Sequence, residues 1–117
     1  MRTVAEAMHA PVAVGPGATL QDAAAAMLAA DAQAAVIVER GRARGLLTAD
    51  DVARALAEGR DPASTEAGAV AEQEPPVVHA QDALVEAHRV MRVSQHRVVA
   101  VVGPRGEPVG LLIDPEA

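Results

Sequence analysis

Four segments of the chain have the composition of buried strands. They lie at residues 35–39, 43–47, 98–102 and 108–113 and are rich in Val, Leu and Ile, as strands buried on both faces are. A turn around Gly41 separates the first two, and residues 103–106 separate the last two. Shorter strands are predicted at residues 12–14 and 76–78. The pattern therefore predicts two hairpins, each preceded by a short strand.

Between these strands, apolar residues recur at the spacing of helices. One helix is predicted behind the N-cap Thr19, with an apolar face of Leu20, Ala23, Ala24, Met27 and Leu28. A second helix carries Leu84, Ala87 and Met91. A third spans residues 49–58 with the stripe Val52, Ala55 and Leu56. Short lead-in helices are predicted at residues 3–8 and 66–72.

The two halves of the chain repeat one pattern at a register of about 64 residues. Leu20, Ala23 and Met27 align with Leu84, Ala87 and Met91. The order is β-α-β-β-α followed by β-α-β-β, so the second copy lacks its final helix. We divide the chain into a first repeat (1–60), a linker (61–68) and a second repeat (69–117), which together form one compact α/β module.

Composition narrows the possible functions. The 117 residues include no Phe, Tyr, Trp or Cys, and the net charge is −6. These features argue against a nucleic-acid partner and exclude disulfides and thiolate metal sites. His9, His79 and His88 lack the spacing of a zinc site, so no metal is expected. The chain has no membrane-span pattern, and a cytoplasmic location is expected.

The pattern resembles the CBS motif, the repeat named after cystathionine β-synthase. The resemblance rests on the segments Val4-Ala5-Glu6-Ala7-Met8, Val36-Ile37-Val38 and Gly45-Leu46-Leu47-Thr48-Ala49-Asp50-Asp51. It implies a Bateman-type module of two pseudo-twofold-related β-α-β-β-α motifs. It also implies a regulatory function without a required cofactor. Clefts between the motifs bind AMP, ADP, ATP or S-adenosylmethionine in this family.

The sequence departs from the family pattern in its strand starts and in its second copy. The Pro that is common at the start of the middle strand is Val36, and in the second copy Ala100. Ile113 and Glu116 stand where a ligand-binding copy has Ser or Thr and Asp. The second copy is therefore predicted to be degenerate as a source of ribose-binding residues.

Thr48 and Asp51 are the first candidate site residues. A strand ends and a helix begins at Thr48, and a helix N-terminus offers free N–H groups to a phosphate. Asp51 is able to accept hydrogen bonds from both hydroxyls of a ribose. The alternative is that Thr48 and Asp51 form an ordinary capping pair.

His96 and Arg97 are the second candidate pair. A His-Arg pair at this place holds phosphates in the family's nucleotide-sensing kinase subunit. The alternative is a solvated pair at the start of a strand. The first copy has Ala32 and Gln33 at the corresponding positions. The two copies complement each other, which predicts one complete ligand site per chain.

Other residues are weaker candidates. Gly45 belongs to the matched motif, and Ala13, Val14 and Val36 are candidates for packing on the purine, although core packing explains them equally. Arg44 is a candidate for a phosphate contact or a surface residue at a strand edge. Asp50 is interpreted as a first-turn acid favoured by the helix dipole.

The preferred interpretation is a sensor module that binds an adenine nucleotide and acts as a homodimer. The dimer is expected because the apolar surface around Val109, Leu111 and Ile113 has no helix of its own to cover it, although the lead-in helix at 3–8 is an alternative cover. The rival interpretations are a ligand-free oligomerisation module and a nucleotide-using enzyme. No catalytic motif supports the enzyme.

Overall fold

A computed structural model describes residues 1–115 of the chain as a mixed α/β fold. The helices are α1 (Val4–Ala7), α2 (Leu20–Ala29), α3 (Ala49–Ala57), α4 (Ala67–Val70) and α5 (Leu84–Ser94). The strands are β1 (Ala13–Val14), β2 (Ala34–Glu39), β3 (Arg42–Thr48), β4 (Glu72–Gln73), β5 (Val77–His79), β6 (Val98–Val102) and β7 (Pro108–Ile113). The predicted bounds of β6 and β7 are confirmed.

The strands form two sheets that repeat one design. The first sheet has the order β1-β2-β3-β4 and the second β5-β6-β7. In each, a short strand runs parallel to the middle strand, which pairs antiparallel with the next. The ladder shifts register between Ile37 and Val38, and again at the equivalent step between Val101 and Val102. The repeat inferred from the sequence is therefore present in the backbone pairing itself.

The two sheets share one apolar core. Strand β3 contacts β6, and β2 contacts β7. The buried side chains between the sheets are Ala34, Val36, Leu46, Val98, Ala100 and Leu111. A half of about 60 residues buries too little surface to be comfortably stable alone, and this core makes each repeat dependent on the other.

The lead-in helices cross between the repeats. Val4 of α1 is fully buried against Val78 and Leu84 of the second repeat, and its backbone N–H donates to Asp82 O at 2.9 Å. In the same way α4 buries Ala67 against Leu20 of the first repeat. Each lead-in helix thus covers the repeat that does not contain it.

This crossing corrects the expectation of an uncovered apolar surface in the second repeat. His9 N donates to Leu111 O at 2.8 Å, and Leu111 N donates to His9 O at 2.9 Å. Leu111 is buried, and Val109 packs against the core around Val4. The segment that follows α1 therefore covers β7. The homodimer remains a prediction, but an uncovered apolar surface on β7 no longer supports it.

Three other expectations are wrong in detail. Leu28, assigned to the buried face of α2, is 84% exposed, because that face is limited to Leu20, Ala23 and Met27. Leu56 of α3 is half exposed. The lead-in helix predicted at 66–72 ends at Val70 and is followed by β4, an edge strand that the apolar pattern does not reveal. Glu116 lies outside the described residues.

Candidate functional site

A cleft of about 370 Å³ opens where β2 and β6 begin and where β3 ends. We call it the Asp51 cleft. The side chains that give it its polarity are Thr48, Asp51, Arg54, Glu72, His96 and Arg97. Both repeats contribute, so the structure brings together the two predicted pairs, Thr48 with Asp51 and His96 with Arg97.

Thr48 and Asp51 form a complete capping box at the start of α3. Thr48 N donates to Asp51 Oδ2 at 2.9 Å, and Asp51 N donates to Thr48 Oγ1 at 3.1 Å. The capping hydrogen bonds are therefore present, and the contact of Asp51 with a ribose stays a prediction. Asp51 Oδ1 also accepts from Arg54 at 3.3 Å. Because a carboxylate oxygen has two lone pairs, the 21% of the Asp51 side chain that stays exposed retains capacity to accept further hydrogen bonds.

The backbone of the α3 N-terminus is largely committed to the protein. Ala49 N donates to Gln33 O at 3.0 Å, and Asp51 N is taken by Thr48. Of the first three amides of α3, only that of Asp50 has no partner among residues 1–115. Only one backbone N–H group at the N-terminus of α3 is therefore left to donate to a phosphate. Side chains must supply the other hydrogen bonds.

His96 is held on both ring nitrogens. Its Nδ1 lies 3.0 Å from Ser94 Oγ, and its Nε2 lies 2.8 Å from Glu72 Oε1. The ring is 19% exposed. A phosphate oxygen that approaches Nε2 must therefore displace the Glu72 carboxylate.

Arg97 presents an exposed side chain from a fixed backbone. Its carbonyl accepts from Asp114 N at 2.9 Å, and Asp114 is buried and pairs with Arg92 at 3.4 Å. In the described part of the chain, the Arg97 guanidinium makes neither a hydrogen bond nor an ion pair. It can therefore grip two oxygens of an anion without first losing a protein partner.

The remaining predicted residues do not reach this cleft. Val36 is buried between the sheets, and Ala13 and Val14 pair with Val36 and Ile37 at the far edge of β2. Gly45 is buried, three residues before Thr48 along β3, which corresponds to about 10 Å of strand. Arg44 lines other hollows beside Gly45. For these residues a ligand contact stays a prediction, with core packing or a surface position as the alternative.

Arg54 and Glu72 are the charged lining residues that the sequence analysis missed. Arg54 carries a usable signal, because it lies three residues after Asp51 and so on the same helix face. The sequence contains no comparable signal for Glu72, because a strand of two residues is too short to show a periodicity. Arg54, Arg97 and His96 face Asp50, Asp51 and Glu72 in the cleft, so its charge is mixed.

Residues 1–115 include no helix that is long and apolar enough to cross a membrane. Within the same residues, no three His, Asp or Glu side chains are grouped as a metal site requires.

Comparison with known proteins identifies the repeats. Residues 4–58 match the family model of the CBS domain. No curated protein sequence matches the chain. The chain is 34% identical to Hypoxic Response Protein I, whose crystal structure holds two coordinated zinc ions; the match covers 97% of this chain and 93% of that one, with a TM-score of 0.82.

Two further solved structures have the same fold. A CBS domain protein from Pyrobaculum aerophilum, complexed with AMP, is 28% identical over 96% of this chain and 87% of its own, with a TM-score of 0.87. A CBS domain pair in complex with 5-methylthioadenosine and S-adenosyl-L-methionine is 18% identical over 97% and 90%, also with a TM-score of 0.87. The chain belongs to the CBS domain family, and its two repeats form a CBS domain pair.

Proposed function

We propose that the chain is a regulatory module that binds one adenine nucleotide in the Asp51 cleft. One observation carries the proposal: the cleft joins Asp51 of the first repeat to Arg97 of the second. The similar protein from Pyrobaculum aerophilum, complexed with AMP, supports it. The volume of about 370 Å³ falls within the usual range for small-ligand sites.

In this proposal each repeat holds a different part of the ligand. The Asp51 carboxylate accepts hydrogen bonds from the ribose hydroxyls, and Arg97 grips the phosphate with two parallel N–H donors. A bound nucleotide then bridges the repeats. It signals by favouring the arrangement of repeats in which both contacts are made.

The candidate ligands remain AMP, ADP, ATP and S-adenosylmethionine, with no required cofactor. The mixed charge of the cleft favours a ligand with few charges, because Asp50, Asp51 and Glu72 oppose a long phosphate chain. AMP is therefore the first ligand to test. We also propose that the chain acts in the cytoplasm.

Calorimetric titration with AMP and with adenosine tests the site directly. We expect about one AMP per chain and an affinity for adenosine at least about ten-fold weaker, because charge-assisted hydrogen bonds to phosphate contribute roughly 1.5–3 kcal/mol each. Equal affinities would show that Arg97 does not hold a phosphate. Two equivalent sites per chain would contradict the prediction of one site, which rests on each repeat lacking the site residues that the other repeat has.

The strongest rival is a ligand-free structural module. It is favoured by the completed capping box and by the contact of His96 with Glu72, which satisfy these groups without a ligand. A failure of AMP, ADP, ATP and S-adenosylmethionine to raise the melting temperature would favour this rival. We propose that the module has no catalytic activity, and a nucleotide turnover assay on the pure protein checks this.

The homodimer is also part of the proposal, now on different grounds. Helix α5 exposes three large apolar side chains, Val85 at 69%, Val93 at 77% and, to a smaller extent, Val90, and the equivalent helix α2 exposes Leu28. Val85 and Val93 are eight residues apart and lie on one face of α5. Exposed apolar residues grouped on a surface mark interaction sites.

The double substitution Val85→Lys/Val93→Lys is expected to convert the dimer into a monomer, since both lysines would have to be desolvated in the interface. Sedimentation of the unaltered and substituted chains at micromolar concentration measures this. Ala57→Lys/Ala63→Lys adds the same charge at exposed positions elsewhere and should leave the dimer intact. An unaltered chain that sediments as a monomer would refute the dimer.

A further inference from the structure

A second polar cleft lies at the opposite end of the sheets from the Asp51 cleft. It has a volume of about 490 Å³ and is lined by the start of β3, the end of β5 and the β6–β7 turn. Its charged lining consists of Arg42, Arg44, Arg105, His79 and Glu74. We call it the arginine cleft. Three of the ten basic residues of a chain with net charge −6 are gathered there.

The backbone holds two of these arginines together. Ala43 N donates to Gly106 O at 2.9 Å, which ties the turn of one hairpin to that of the other. Gly106 has φ +82°, and a Cβ at this position would lie 2.9 Å from Arg42 Nε. The Arg42 side chain therefore lies against the turn that carries Arg105. Two positively charged residues from different hairpins, Arg42 and Arg105, therefore line the same end of the cleft.

The carboxylates nearby neutralise this pair only in part. Glu74 contacts Arg44 at 3.4 Å. The Glu107 carboxylate accepts from Arg105 N at 2.8 Å, and its pKa is lowered by hydrogen bonds from the backbone N–H groups of Glu107 and Arg105 and by the positive charge of Arg105, so it is ionised and offsets part of that charge. Glu39 stands opposite Arg42 in the strand register. Across residues 1–115, the guanidinium groups of Arg42 and Arg105 have no ion pair.

We propose that the arginine cleft is a second ligand site, which binds the diphosphate group of a small molecule. Guanidinium groups bind phosphate oxygens in bidentate fashion, and Arg42 and Arg105 approach the cleft from different hairpins, so that each takes one phosphate. Arg44 adds a third positive charge, partly offset by Glu74. The site is separate from the Asp51 cleft, and it does not depend on nucleotide binding there.

Titration with pyrophosphate at low ionic strength tests the site. We expect the unaltered chain to bind pyrophosphate, and the Arg97→Gln chain to bind it with an affinity within about two-fold, because Arg97 belongs to the other cleft. Arg42→Gln/Arg105→Gln should weaken binding by about 100-fold, since each arginine supplies charge-assisted hydrogen bonds. Arg60→Gln, an exposed arginine outside this cleft, is the control and should bind normally.

The outcomes separate this site from the proposed function. No binding of pyrophosphate to the unaltered chain overturns the proposal, and so does a loss in Arg97→Gln but not in the double variant. An equal loss in Arg60→Gln would reveal unspecific attraction. AMP binding that persists in the double variant shows that the fold and the Asp51 cleft are intact. If AMP binds no form of the chain, circular dichroism monitors folding instead, and the pyrophosphate result stands by itself.

A parallel titration with ADP identifies the source of the diphosphate. It is carried out on Asp51→Asn/Arg97→Gln, in which the other cleft is disabled. Tighter binding of pyrophosphate points to a free diphosphate, and tighter binding of ADP points to a nucleotide. Both results support the site, whereas binding of neither ligand to this variant would contradict it.

Discussion

Asp51→Asn and Arg97→Gln are each expected to weaken AMP binding by about 10- to 100-fold. Each removes the charge from one end of the ligand site, and charge-assisted hydrogen bonds of this kind contribute roughly 1.5–3 kcal/mol. Because the two residues belong to different repeats and hold different parts of the ligand, their effects should be nearly additive. Calorimetric titration of the two single variants and the double variant measures this.

The capping role of Asp51 requires a matched control. Asp22 completes the same kind of capping box with Thr19 at the start of α2, outside the Asp51 cleft. Asp22→Asn should therefore share any loss of stability that comes from the cap and leave AMP affinity unchanged. Equal loss of AMP affinity in Asp22→Asn and Asp51→Asn would mean that Asp51 acts only through the helix. Full affinity in Arg97→Gln would remove the phosphate contact from the proposal.

Val4→Asp is expected to lower the free energy of unfolding by roughly 3–5 kcal/mol, the cost of an uncompensated buried charge. Val4 is fully buried in the core of the second repeat, next to Val78, Leu84 and Met91. Small domains are stable by only about 5–15 kcal/mol, so much of the chain would unfold. Urea denaturation followed by circular dichroism measures the change.

The neighbouring Ala5 provides the control for this substitution. Ala5 is exposed on the same short helix, so Ala5→Asp alters α1 to the same degree without burying a charge. It should change the stability by less than about 0.5 kcal/mol. If Val4→Asp does not yield folded protein, Val4→Ala should still cost roughly 2 kcal/mol. A Val4→Ala chain as stable as Ala5→Asp would show that α1 does not pack on the second repeat.

The candidate site was predictable in its outline but not in its contacts. The spacing of Thr48 and Asp51 and the dipeptide His96-Arg97 are local features, so the sequence shows them directly, and the repeat indicates that they complement each other. Glu72, which binds His96 from 24 residues away, belongs to a strand too short for any periodicity. The sequence therefore could not indicate that a carboxylate already contacts the His96 ring.

Local features of the sequence predict the repeat, the order of its elements apart from β4, and the bounds of β6 and β7, because continuous apolar runs and glycine turns act locally. The tertiary structure decided which surfaces are covered and which charges meet. Val4 covers the second repeat, Leu28 faces outward, and Arg42 lies against Gly106 of the β6–β7 turn. These contacts join residues far apart in the chain, and their geometry depends on how the two sheets pack, which no local pattern encodes.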